Sequence, residues 1–116
     1  MSQGSELRKH HRVPFQGAVR CMAQPATTVF SPGGNLSGGG MFLRARSSLA
    51  PGTEVTVRFQ LPYLGDMVEA RGVIRWRQMD VREEETAGIG IEFTEIDVPL
   101  RERILHFIES QSLSLL

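Results

Sequence analysis

Short segments in which apolar and polar residues alternate recur along this chain, and they limit what it can fold into. Alternation with a period of two is typical of a β-strand that has one face in a core and the other in solvent. Five segments have this pattern, at residues 13–22, 41–46, 54–61, 68–78 and 88–93. Because only short turn-forming stretches separate most of them, antiparallel pairing is favoured over parallel strands joined by helices.

A helix is predicted only near the C-terminal end of the sequence. Asp97 can cap it, Pro99 fits its first turn, and an apolar stripe follows at helical spacing, formed by Leu100, Ile104, Phe107 and Ile108. The pattern predicts an end near Ser110. The leucine-containing residues after it are open to two interpretations, a partner contact or a frayed tail, and a tail is favoured.

The length of 116 residues suits one compact domain. A sheet of five or six strands has two exposed edges unless it closes, so a small barrel with the helix over one open end is the simplest arrangement. We expect a β-barrel over residues 13–96 and a helix with a tail over residues 97–116. Residues 1–12 lack a core pattern and are expected to be a flexible arm.

Composition excludes several classes of protein. A single cysteine, Cys21, cannot form an internal disulfide, which argues against a small secreted scaffold. The sequence has neither an apolar stretch long enough to span a membrane nor a signal peptide. We therefore expect a cytoplasmic protein without membrane insertion.

Charge is unevenly distributed although the net charge is zero. Residues 1–46 carry six cationic side chains and one acidic one, a balance of +5, and residues 47–116 have a balance of −5. Twelve of the thirteen basic residues are arginine, whose planar fork matches phosphate oxygens. The bias indicates either a specific anionic ligand or a genomic preference for arginine codons.

Two stretches outside the strands could carry a binding site. The first is a basic cluster in which Arg8 and Arg12 lie four positions apart, so that a turn in the arm would close both guanidiniums on one compact anion. The second is the glycine-rich run 33–40, where Asn35 and Ser37 offer polar side chains two positions apart. The alternatives are a solvated basic tail and an ordinary tight turn.

Together these stretches resemble the two signatures of the PilZ domain family, RxxxR followed by [D/N]xSxxG. Residues 8–12 read RKHHR and residues 35–40 read NLSGGG. The likeness covers nearly the whole chain, because the Pro51-Gly52 turn, the strands around residues 72–76 and 88–93, and the closing helix also fall where that family has them.

The resemblance implies an all-β fold, a six-stranded antiparallel barrel with a C-terminal helix, that binds the second messenger cyclic di-GMP. In the family, arginines at the positions of Arg8 and Arg12 hold phosphate and the Hoogsteen edge of guanine. By the same likeness Asn35 and Ser37 read a second guanine, and Gly40 leaves room for the ligand.

Three further residues bear on this interpretation. Trp76 would border the nucleotide, as an aromatic residue from this strand does in some family members, or else it packs in the core or against the helix. Leu7 stands where several members have another arginine, which favours one ligand molecule per chain. Asn35 replaces the commoner aspartate and so keeps an acceptor oxygen without the charge.

No enzyme is expected, because the sequence offers neither a nucleophile with a base nor a metal-ligand pattern. No cofactor is expected beyond the ligand. The favoured function is a receptor or adaptor in which cyclic di-GMP changes the conformation of the arm and the surface offered to an unidentified protein partner. The alternative is a PilZ-like interaction module in motility or development that has lost nucleotide binding. Nucleic acid is disfavoured as a partner by the neutral total and the few aromatic residues.

Overall fold

The computed structural model describes residues 12–23, 26–30, 34–44, 49–62, 65, 67–78 and 87–114. Eight strands and one helix occur in this part of the chain. The strands are β1 (Val13–Phe15), β2 (Val19–Ala23), β3 (Ala26–Phe30), β4 (Gly34–Ser37), β5 (Gly40–Leu43), β6 (Glu54–Gln60), β7 (Met67–Gln78) and β8 (Gly88–Glu95). The helix, α1, is Val98–Ser114.

All strands belong to one antiparallel sheet in the order β1-β4-β5-β8-β7-β6-β2-β3, which curves into a half-barrel. The predicted all-β antiparallel fold with a C-terminal helix is confirmed. The sheet has eight strands where six were expected. One reason is that the predicted strand 13–22 breaks at Gly17, where a Cβ would meet the ring of Phe15 at 2.7 Å. As a result β1 pairs with β4 and β2 pairs with β6.

The concave face of the sheet and one face of α1 enclose the hydrophobic core. In β6 the burial alternates as predicted, with Val55, Val57 and Phe59 buried. The ring of Phe59 meets that of Phe15 edge-on, with centroids 5.3 Å apart. Burying each such side chain stabilises the fold by roughly 1.5–3 kcal/mol, so this face supplies much of the stability.

The helix begins where the sequence predicts it and ends later. The Arg101 N–H donates to the Asp97 carbonyl at 3.0 Å, which places Asp97 at the cap position. Ile104 and Phe107 are buried against the sheet. The predicted end near Ser110 is wrong, because the helix continues to Ser114. No glycine or proline interrupts the last turn, and the Ser110 hydroxyl donates back to the Phe107 carbonyl at 2.8 Å.

Within the described residues, no helix combines the length and the apolar character that crossing a bilayer requires.

Candidate functional site

Arg12, the last residue of the first motif, lies beside Asn35, the first residue of the second motif, on the convex face of the sheet. Arg12 directly precedes β1, whose Pro14 pairs with Asn35 of β4. The exposed Arg12 guanidinium donates a hydrogen bond from Nη1 to Asn35 Oδ1 at 2.9 Å. Because Leu36 is fully buried, alternation turns Asn35 away from the core. Pairing of β1 with β4 therefore joins residues that lie 23 positions apart.

One predicted site residue cannot be compared with this arrangement. Arg8, the first arginine of the RxxxR motif, lies outside the described residues. Arg44 is described and exposed. It faces the same shallow depression as Arg12 and Asn35, which we call the Arg44 cleft. Two guanidiniums therefore border one edge of the candidate site.

A second depression adjoins the first and shares Arg12 with it. We call it the Trp76 cleft, and its lining includes Arg12, Ser37, Gly40, Arg75, Trp76 and Glu92. The Arg44 and Trp76 clefts measure about 430 and 300 Å³. Each is at the small end of the range for ligand pockets, so a ligand with two bulky halves would extend over both.

Ser37 holds the glycine turn together. Its side chain is fully buried, its hydroxyl donates to the Gly40 carbonyl at 3.2 Å, and it accepts from the Gly39 N–H at 3.3 Å. The Phe93 N–H donates to the Gly39 carbonyl at 2.8 Å, which fixes the turn to β8. Ser37 thus shapes the cleft through hydrogen bonds within the turn.

Gly40 is required for a close approach between strands. A Cβ at Gly40 would lie 2.1 Å from the backbone oxygen of Ile91, so its missing side chain makes room for β8. The sequence analysis predicted instead that Gly40 leaves room for the ligand. Positive φ occurs at Gly52 and Gly65, which lie outside this turn.

Trp76 lies on the convex face because β7 contains a bulge. Ile74 pairs with Ile91 and Trp76 pairs with Gly90, which leaves Arg75 as an extra residue. Strict alternation from the buried Ile74 would turn Trp76 into the core, and the extra residue reverses this. The Trp76 side chain is 42% exposed, so the alternative of a core role is wrong.

Glycines of β8 support two aromatic rings beside the cleft. A Cβ at Gly90 would lie 2.2 Å from Trp76 Nε1, and one at Gly88 would lie 2.3 Å from the ring of Phe42. The two rings are near-parallel, with centroids 5.3 Å apart and planes inclined by 19°. This arrangement gives the site an aromatic surface of fixed orientation.

Sequence reasoning did not single out Arg75 and Glu92 as site residues. The Arg75 Nε donates to Glu92 Oε1 across β7 and β8, and both side chains are largely exposed in the Trp76 cleft. The sequence could have indicated Glu92, because a charged residue between the apolar Ile91 and Phe93 is expected to point away from the core. No sequence feature indicated the bulge that brings Arg75 beside Glu92.

The described residues contain no group of three or more histidine, cysteine or acidic side chains arranged to hold a metal ion. Cys21 is buried, and burial raises the pKa of its thiol to about 11. The thiol is therefore protonated at neutral pH, which makes it a poor nucleophile.

A family model described as PilZ domain matches residues 6–110 of this chain. Among solved structures, the Bacillus subtilis inhibitor of motility, MotI/DgrA, superposes with a TM-score of 0.75 at 20% sequence identity over 92% of this chain. The superposed region is 52% of that protein, so this chain spans about half of its length.

A PilZ domain of CeSA, from a cellulose-synthesizing bacterium, superposes with a TM-score of 0.61 at 16% identity, covering 88% of this chain and 98% of that one. At such low identity these two likenesses concern the fold. No curated protein matches the chain.

Proposed function

This chain belongs to the PilZ domain family, and from that membership we propose that it is a receptor for cyclic di-GMP that acts through a protein partner. The family is one of cyclic di-GMP receptors. The proposal assigns ligand binding to Arg8, Arg12, Asn35 and Trp76, with Ser37 and Gly40 shaping the turn beneath them. It assigns no catalytic step to the chain.

The contact between Arg12 and Asn35 is the observation that carries this proposal. A cyclic dinucleotide has two phosphates and two guanines, so its receptor needs cationic donors for the phosphates and polar side chains for the base edges. Arg12 supplies five N–H donors, of which Asn35 engages one at 2.9 Å. The remaining donors are available to a phosphate, since a guanidinium fork matches phosphate oxygens in pairs.

The Trp76 indole supports the purine part of the proposal. Trp76 is 42% exposed, and its ring, backed by Gly90 and Phe42, offers a ready surface to a planar base. Stacking of a base on an aromatic side chain contributes roughly 1–3 kcal/mol, as judged by truncation. Because Gly90 and Phe42 pack against the indole and hold it in place, little side-chain entropy is lost when a base binds.

We further propose that the ligand changes the surface formed by the first dozen residues. Arg8 and Arg12 belong to one motif, and a phosphate held by both would fix residues 8–12 against β4. A protein partner would recognise this altered surface. The structural likeness to an inhibitor of motility favours a partner in motility, although this chain spans only 52% of that protein.

The binding proposal is tested by calorimetric titration of cyclic di-GMP into the wild type and Arg12→Ala. Loss of a charge-assisted contact is expected to cost at least ~2 kcal/mol, which is about a thirty-fold rise in Kd. Arg58→Ala is the matched control, because Arg58 is an exposed arginine outside both clefts and is expected to leave Kd within about twofold of the wild type. Equal affinity of the wild type and Arg12→Ala would remove Arg12 from the site.

A chain that fails to bind cyclic di-GMP at all would instead favour the interaction module without nucleotide binding.

A further inference from the structure

An acidic side chain lies in a site otherwise built for an anion. The Trp76 cleft contains the carboxylate of Glu92 together with the guanidiniums of Arg12 and Arg75. Arg75 donates to Oε1 of this carboxylate, and the Glu92 side chain remains 52% exposed. A carboxylate accepts up to about four hydrogen bonds, so one contact leaves most of its capacity for a ligand.

The backbone fixes Glu92 beside the glycine turn of the second motif. Glu92 of β8 pairs directly with Gly40 of β5. The next residue, Phe93, donates its N–H to the Gly39 carbonyl at 2.8 Å. A molecule that rests on the glycine turn therefore comes within reach of this carboxylate.

Charge decides which part of a cyclic dinucleotide can face Glu92. A phosphate would be repelled by the carboxylate, because like charges in a partly desolvated cleft raise the free energy of the complex. A base edge that presents N–H donors would be attracted. Guanine presents two adjacent donors, N1–H and the N2 amino group, which match the two oxygens of a carboxylate. Adenine presents an acceptor in place of the first donor.

We infer that Glu92, oriented by Arg75, reads the donor edge of a guanine and so selects guanine over other purines. The inference rests on the proposed binding of cyclic di-GMP. It also gives the bound ligand a direction, with phosphate toward Arg12 and a base edge toward Glu92. Asn35, in the Arg44 cleft, lacks the negative charge of an aspartate, and Glu92 supplies a charged acceptor in the adjoining Trp76 cleft.

A second ion pair provides an internal control. Arg71 donates from Nη1 to Glu95 Oε1 at 3.1 Å, across the same two strands and with similar exposure of both side chains. Neither residue lines the Trp76 cleft. If Glu92 merely neutralised an arginine on the sheet surface, Glu92→Gln and Glu95→Gln would have equal effects.

The experiment pairs a change in the protein with a change in the ligand. Cyclic di-IMP differs from cyclic di-GMP only in lacking the N2 amino group, and cyclic di-AMP alters both donor positions. Calorimetry measures the Kd of all three for the wild type, Glu92→Gln and Glu95→Gln. Circular dichroism confirms that each variant is folded. A double-mutant cycle that combines Glu92→Gln with Asn35→Ala identifies which of the two side chains pairs with the N2 amino group.

The wild type is expected to bind cyclic di-GMP about tenfold more tightly than cyclic di-IMP, because a hydrogen bond to a charged group is lost. In Glu92→Gln this ratio is expected to fall to about threefold or less, and in Glu95→Gln it is expected to stay at the wild-type value. A wild-type ratio that survives in Glu92→Gln, or that disappears only in Asn35→Ala, would overturn the inference while leaving the receptor proposal intact. A wild type that binds none of the three dinucleotides would overturn the receptor proposal itself, and the inference with it.

Discussion

Two halves of the sheet differ in how regularly buried and exposed residues alternate, and in whether they mainly form the core or hold the candidate site. The regular half consists of β2, β6 and residues 67–74 of β7, where buried and exposed residues alternate almost strictly. The bulged half consists of β4, β5, β8 and the end of β7 from Arg75, where two extra residues, Arg75 in β7 and Thr94 in β8, and several glycines interrupt the regular pattern. The regular half mainly buries apolar side chains, and the bulged half holds the candidate site.

Departures from the regular strand pattern therefore position the polar and aromatic side chains of the candidate site. In the regular half the convex face carries Arg58 and Glu69, which pair at 3.6 Å while exposed to solvent. Such a pair contributes about 0–1 kcal/mol. In the bulged half the convex face presents an indole fixed above Gly90 and an ion pair beside a turn. Mutations in the two halves are therefore expected to separate stability from binding.

A core substitution in the regular half is expected to cause the greatest loss of stability. Phe59 is buried, and its ring lies 5.3 Å from Phe15 and 6.5 Å from Phe93, measured between centroids. Phe59→Ala should lower the free energy of unfolding by roughly 3–5 kcal/mol, because it leaves a cavity in the core. Urea denaturation measures this loss. The folded fraction should bind cyclic di-GMP with unchanged Kd, and a large change in Kd would break the division between the halves.

A smaller loss of stability is expected in the bulged half from Gly90→Ala. The new methyl group would lie 2.2 Å from Trp76 Nε1, so the indole must move, at a cost of roughly 1–3 kcal/mol. Because Trp76 is the only tryptophan, a shift in fluorescence emission reports its displacement directly. In a Trp76→Ala variant, Gly90→Ala should lower the free energy of unfolding only slightly. An equally large loss in that variant would contradict the contact between Gly90 and Trp76.

The stability of the regular half is expected to depend on pH only in the alkaline range, through Cys21. Burial raises the pKa of the Cys21 thiol from 9.0 to about 11. Since the folded state favours the protonated thiol, this contribution to stability is complete below pH 9 and is lost as the pH rises toward 11. Denaturation from pH 7 to 11 should show this decline in the wild type and a weaker one in Cys21→Ala. A thiol reagent should label the native protein slowly at neutral pH.

The smallest effect is expected from Arg58→Ala in the regular half. The substitution removes an exposed ion pair with Glu69, and it also removes a like-charged neighbour from Arg20, which pairs directly with Arg58 in the sheet. These contributions oppose each other, so the free energy of unfolding should change by less than about 1 kcal/mol. A loss of several kcal/mol would show that the convex face of the regular half is more than a solvated surface.

The regular half was largely predictable from the sequence, because alternation in the segment around Val55 and Phe59 reports burial directly. The motif pair was also readable, and pairing of β1 with β4 brings Arg12 to Asn35. The bulge at Arg75 was not predictable, since one extra residue leaves no mark in composition or spacing.

The same limit applies to the finer parts of the site. The side chain of Ser37 was expected to face the ligand, yet its hydrogen bonds depend on the geometry of a turn that spacing alone does not define. Glu92 has no motif of its own, and it becomes a candidate only when β8 pairs with β5. The pairing of strands distant in sequence therefore determines which side chains reach the site, and the local sequence pattern does not report that pairing.

Calorimetric titration of the wild-type chain with cyclic di-GMP, with linear pGpG and GMP as controls, decides whether the chain is a receptor for the cyclic dinucleotide. We expect saturable binding of one cyclic dinucleotide per chain and much weaker binding of the linear dinucleotide and the mononucleotide. An absence of measurable heat with the cyclic dinucleotide, or equal affinity for all three compounds, would contradict a receptor function.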